Sequence, residues 1–116
     1  MTAMRIDRQK ATFEALPPSV QILGERLETG SVIFPPFAFS ACLADGDLAA
    51  LNAPINVKAA VVRLTLRPTG GWGIRAACPW CGKAHSHGGG TGPLPYFGHR
   101  VADCTRGGYE LDPRPR

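Results

Sequence analysis

Proline interrupts this chain too often for any regular element to be long. Pro17-Pro18, Pro35-Pro36 and Pro54 cut the first half into short stretches, and Pro68 interrupts the second half. Proline lacks a backbone donor and clashes with a preceding helical turn, so each of these positions ends an element or marks an edge. Glycine and proline, 14 and 11 of 116 residues, together exceed a fifth of the chain, so turns must be frequent. Hydrophobic residues still make up 44%, which excludes a chain disordered throughout, and the length allows one modest core.

The first half reads as short helices. Ile6, Phe13 and Leu16 fall on one face of a helix over about residues 5–16, ended by Pro17. Ser19 is placed to cap a second helix carrying Val20, Leu23 and Leu27, with Gly30 as its stop. The apolar stretch from Ser31 to Ser40 contains two prolines, so it is expected to be an extended core segment and not a central strand. Asp45 or Asp47 caps a short helix through Leu48 and Leu51, and Cys42 is expected as a small buried hydrophobe.

After residue 57 the period changes to two. Ala60, Val62, Leu64 and Leu66 alternate with Val61, Arg63, Thr65 and Arg67, the pattern of a half-buried strand. A Pro68-Thr-Gly-Gly71 turn leads to a second strand, in which Trp72, Ile74 and Ala76 alternate with Gly73, Arg75 and Ala77. The pair predicts an antiparallel hairpin with Arg63, Arg67 and Arg75 on one face. The fold class expected is therefore α+β: N-terminal helical segments over 1–57, a hairpin and metal module over 58–105, and a flexible tail over 106–116, all in one small domain.

Charge divides the chain at the same place. Residues 1–57 hold four basic and six acidic side chains, whereas residues 58–116 hold nine and three. A basic half points to an anionic partner, DNA or RNA, although a solvated basic surface would look the same. The N-terminus is charged with no apolar run behind it, and no uninterrupted stretch approaches the ~20 apolar residues of a membrane span. Four cysteines without an export signal suggest a cytoplasmic protein whose thiols stay reduced.

Those thiols sit close to histidines. Cys78-Pro-Trp-Cys81-Gly82 is a knuckle that turns two sulfurs toward one cation, and zinc requires four such donors in a tetrahedron. His99 and Cys104, with four residues between them, are the preferred second pair, with His87 and His85 as alternates for the histidine. Six candidate donors favour a closed, structural Zn²⁺ site. The glycine-rich run from Gly88 to Pro95 is expected to be a flexible spacer.

Other chemistry fits these residues poorly. A reactive dithiol needs a helix N-terminus behind its first cysteine, and the segment after Cys81 is too rich in glycine. A zinc deaminase needs an H-x-E motif that the chain lacks, and no cysteine spacing matches an iron–sulfur run. The glycine run also lacks the Gly-Lys-Ser/Thr ending of a phosphate loop.

The stretch from Cys78 to Cys104 resembles a pattern in short, functionally uncharacterised zinc-finger-like proteins of actinobacteria and their mobile elements. The matching residues are Cys78, Pro79, Cys81, Gly82, His85, His87 and Gly88, then Gly98, His99, Arg100, Val101, Ala102 and Cys104. The pattern has a histidine just before its last cysteine where this chain has Asp103. The resemblance covers about a quarter of the chain; it implies a metal site and brings no activity with it.

The expectation is a non-enzymatic, zinc-stabilised binding protein with a nucleic-acid partner and no small-molecule substrate. Arg63, Arg67, Arg75, Lys83 and Arg100 would contact phosphates, and Trp80, Trp72 or Tyr96 would stack. The alternatives are a zinc-stabilised protein–protein adapter in a phage or regulatory complex, and a metal-dependent hydrolase using His85 or His87.

Overall fold

The computed structural model describes residues 12–40, 43, 45–53 and 57–114. They form a mostly β fold, which overturns the α+β expectation. Seven strands make one mixed sheet: β1 (Glu25–Arg26), β2 (Val32–Phe34), β3 (Lys58–Leu66), β4 (Trp72–Ala77), β5 (Ala84–Gly88), β6 (His99–Val101) and β7 (Gly108–Asp112). Among the described residues helix is confined to a 3-10 turn, Phe13–Ala15, a single turn α1 (Pro18–Gln21), and the eight-residue α2 (Asp45–Asn52). Among the described residues no helix is long and apolar enough to cross a membrane. Residues 5–11 of the first expected helix, with Ile6, and Cys42 lie outside the described residues.

The second expected helix fails because its latter half enters the sheet. Gly24 lies so close to Phe34 and Val32 that an added Cβ would come within 2.8 Å of both side chains. From there β1 turns into β2, with the Leu27 N–H donating to Ser31 O at 2.8 Å and Gly30 at φ +92°. Gly30 thus serves a hairpin turn, where its positive φ carries no steric penalty. The hairpin buries Val32 and Phe34, while Leu23 and Leu27 stay partly exposed. The prolines of the 31–40 stretch did not prevent a strand either. β2 stops at Phe34, just before Pro35, and pairs with β1 on one side and β3 on the other.

β3 organises the sheet. β4 pairs antiparallel with it from Ala60 to Leu66. Along its other edge, β7 pairs in parallel with Lys58, Ala59 and Ala60, and β2 pairs with Leu64, Thr65 and Leu66. The expected strict alternation breaks once, at a bulge between Val61 and Arg63. One extra residue shifts the phase. Ala59 and Val61 therefore join Leu64 and Leu66 on the buried face, and Val62 is left exposed.

The buried face carries Trp72, Ile74 and Ala76 from β4, and Tyr109 and Leu111 from β7. Leu16, Val20, Phe39, Phe97 and Ala102 complete the core. Phe39 meets Trp72 edge-on at 5.2 Å, and both contact Phe34, at ring separations of 5.7 and 5.9 Å. Trp72, only 1% exposed, is a core residue and not a stacking platform. The opposite face, with Arg63, Thr65, Arg67, Arg75 and Ser86, is open, as is common for an antiparallel sheet.

The described part of the expected flexible tail, residues 106–114, is held. Tyr109 and Leu111 are at most 1% exposed in β7, and Arg114 grips Asp112 through two hydrogen bonds of 2.9 and 3.0 Å. The same guanidinium donates to Asn52 Oδ1 at 2.7 Å, tying the C-terminal segment to α2. The glycine-rich spacer is also held. Trp72 N–H donates to Gly90 O, Gly89 N–H to Trp72 O and Tyr96 N–H to Gly89 O, each at 2.9 Å.

Candidate metal centre

β4 runs directly into Cys78, where the chain reverses. The Cys78 N–H donates to Lys83 O at 2.9 Å, and the Gly82 N–H donates to Cys78 O at 3.0 Å. Gly82 takes φ +77°, which lets the turn close without a Cβ clash. The Trp80 N–H points back at Cys78 Sγ, 3.3 Å away. The chain then returns as β5 with Ala84 opposite Ala77 and His85 opposite Ala76. The register of this short hairpin is what brings His85 beside the knuckle.

Cys104 arrives from the turn between β6 and β7. Ala102 N–H donates to Gly107 O at 2.9 Å and Thr105 N–H to Ala102 O at 2.8 Å. Thr105 has φ +60°, a conformation that costs a β-branched residue roughly 1–3 kcal/mol and that a cation held by the preceding cysteine would help to offset.

The donor atoms of Cys78, Cys81, His85 and Cys104 all lie within 4.8 Å of one another. Cys78 Sγ and Cys104 Sγ are 3.8 Å apart, and Cys81 Sγ is 3.2 Å from His85 Nε2. Two sulfurs on one tetrahedral zinc, each at about 2.3 Å, would sit roughly 3.8 Å apart, so the geometry fits a single ion. Three thiols and an imidazole are a donor set suited to zinc, and the four can hold one metal ion with no coordination position left over.

The thiols are poised unequally. Burial opposes ionisation of Cys78, but the backbone N–H groups of Cys81 and Trp80 and the neighbouring thiols outweigh it and bring the pKa down to about 7. At Cys104 the Arg106 N–H favours the thiolate, yet burial and the Cys78 and Cys81 sulfurs hold the thiol above its ordinary value. Clustered sulfurs resist full deprotonation by mutual repulsion, and a bound cation removes that resistance.

The fourth donor brought to the cluster is His85, the alternate, and not the preferred His99. His99 is exposed on β6 opposite Glu110, its ring lying over Gly108. Its partner Glu110 alternates with the buried Tyr109 along β7, so His99 lies on the face away from the His87–Tyr109 pair. His87, the other alternate, is also absent from the cluster. Its Nε2 is 2.7 Å from the Tyr109 hydroxyl, and burial lowers its pKa while pushing that of Tyr109 up to about 12. Asp103 occupies a supporting position, with Oδ2 4.0 Å from His85 Nδ1. The sequence offered little sign of Tyr109 beyond its alternation with Leu111.

The expected phosphate-contacting residues separate into groups. Arg63, Arg67 and Arg75 share the open face, where they border a shallow groove of about 130 Å³ with Thr65, Gly73 and Ser86. Arg63 and Arg75 are direct cross-strand partners. Arg100 is not part of this patch. It stands opposite Tyr109, on the other face, and donates to Gly88 O and Tyr96 O at 2.9 and 3.0 Å while covering the Tyr96 ring. Lys83 is exposed in the knuckle. Trp80, 40% exposed, packs over Gly107 and donates to Gly108 O at 3.3 Å, which makes it a brace between the two cysteine turns. No known family, curated protein or solved structure matches the chain.

Proposed function

We propose that this protein is a non-enzymatic, zinc-stabilised module that binds nucleic acid through the open face of its sheet. The observation that carries the proposal is the placement of Arg63 directly opposite Arg75, with Arg67, just past the end of β3, bordering the same groove. Like charges facing each other across strands destabilise a sheet. Among the described residues no carboxylate forms an ion pair with any of the three. An anion lying between them would turn that repulsion into attraction, and a phosphodiester backbone supplies anions at regular spacing.

The neighbouring residues suit a backbone ligand. Thr65 and Ser86 offer hydroxyls, and Gly73, having no side chain, lets the Arg67 guanidinium lie over it. Arg67 is already oriented, because its Nη1 donates to Trp72 O at 3.1 Å. The metal's role is architectural: with three sulfurs and an imidazole it has no open position for a reacting water, which favours binding over hydrolysis.

Fluorescence anisotropy with a labelled oligonucleotide tests the proposal. Three phosphate contacts predict that affinity falls about 20- to 40-fold as salt rises from about 50 to 200 mM. Arg63→Ala and Arg75→Ala should each weaken binding and flatten that dependence by roughly one contact. Absence of binding at low salt would leave the open face to a protein partner, as an adapter requires.

A further inference from the structure

Next to the arginine groove lies a larger cleft of about 270 Å³, bordered by Thr12, Phe13, Glu14, Arg26, Arg67 and Pro68. Arg67 borders both spaces, so the cleft and the groove meet at its side chain. Their chemistry differs. The groove presents arginines and hydroxyls, whereas the cleft also contains a carboxylate, Glu14, and a stacked pair in which the Arg26 guanidinium lies 5.4 Å over the Phe13 ring.

We propose that the cleft between the Phe13 turn and the end of β3 accepts one unpaired nucleobase, so that the ligand of the open face is a single strand. This rests on the nucleic-acid reading above and names its substrate class. Glu14 offsets one of the cleft's two arginines and accepts the exocyclic N–H of a base, and Thr12 can donate or accept. The guanidinium plane of Arg26, already backed by Phe13, offers the flat cationic surface on which unstacked bases rest. The volume falls just below the range of small-ligand pockets, roughly 300–1,000 Å³, which suits one base and not a duplex. The groove residues include no aromatic side chain, whereas the cleft has the Phe13 ring behind the Arg26 guanidinium. A base in a duplex is held in its stack and cannot enter; one in a single strand can turn out while its phosphates follow Arg67 and Arg63.

The experiment compares three probes of equal length at low salt: a mixed-sequence single strand, its duplex, and an abasic single strand with the same phosphates. The expected result is that the single strand binds about tenfold or more tightly than the other two, the ratio that stacking of one base supplies. Arg26→Ala should reduce single-strand affinity toward that of the abasic strand and leave the abasic affinity nearly unchanged; Glu14→Ala, in a variant that keeps both arginines, should weaken the intact strand alone. Equal, salt-sensitive affinity for all three probes overturns the base-binding cleft and leaves the phosphate-binding face intact. An equal loss on both single strands in Arg26→Ala also overturns it, since Arg26 would then contribute only charge. Failure of every probe to bind overturns the nucleic-acid reading itself.

Discussion

His87 Nε2 lies 2.7 Å from the Tyr109 hydroxyl, joining β5 to β7, two strands that share no backbone pairing. His87 stands opposite Ile74 on the buried face, and Tyr109 is 1% exposed, so the bond is sheltered from water. Tyr109→Phe keeps the ring and removes the partner of the imidazole. It should cost about 1–3 kcal/mol, the range for leaving a sheltered polar group unpaired, measured as a lower midpoint in urea unfolding.

The same tyrosine predicts an alkaline effect. Burial is the main cause that pushes Tyr109 up from 10.0 to about 12 in the folded protein. The unfolded chain ionises its tyrosine near pH 10 while the folded one stays neutral. This contribution to stability is therefore complete below pH 10 and is lost as pH rises toward 12. Melting temperatures across that window should fall more for the parent protein than for Tyr109→Phe.

Zinc should bind at close to one ion per chain. Cys78→Ser, Cys81→Ser, His85→Ala and Cys104→Ser should each reduce that content sharply, because each removes one of the four gathered donors. His99→Ala and His87→Ala should retain it. Elemental analysis of purified variants reads the result directly. Stripping the ion with a chelator should lower the melting temperature by roughly 10 °C, the effect of losing a ligand present at about 100 times its Kd.

Asp103 faces the ring nitrogen of His85 that points away from the thiols, at 4.0 Å. A carboxylate there favours the tautomer that leaves Nε2 free for a metal. Asp103→Asn should weaken zinc affinity about 10- to 100-fold without abolishing binding, measured by competition with a chromogenic chelator. Unchanged affinity would show that His85 is oriented by its strand alone.

The parts of the molecule legible in sequence are those whose signal is local. The alternation in β3 and β4 and the Cys78–Cys81 turn are each contained within a few residues, so their pattern survives without knowledge of the rest. The bulge at Val62 is different. It moves Ala59 and Val61 to the core face only because β4 and β7 both pair with that end of β3. β7 itself pairs in parallel across about fifty residues, as Lys58 with Glu110, and a long-range parallel pairing leaves no turn signal between its partners. The Leu23 and Leu27 spacing fits a helix by itself; it lost to a hairpin whose gain lies in Val32 and Phe34 meeting Trp72 and Phe39. The choice of His85 over His99 has a related cause. Finger-type spacing favours His99, but the fourth donor is fixed by the β4–β5 register, which places His85 opposite Ala76 immediately beyond the knuckle.

Arg63 and Arg75 allow stability and binding to be separated. They face each other across β3 and β4 on the open side of the sheet. If they are placed there for an anion, relieving their repulsion should stabilise the isolated protein and damage its function. Arg63→Glu converts the pair to opposite charges and should raise stability by about 0.2–1 kcal/mol, since cross-strand ion pairs are favourable where like pairs are not. The same change places a carboxylate in the path of the phosphates and should reduce oligonucleotide affinity more than Arg63→Ala does. Urea titration and anisotropy on one preparation measure both quantities. A variant that is more stable yet binds as well as the parent would show that the open face is not where the polyanion lies.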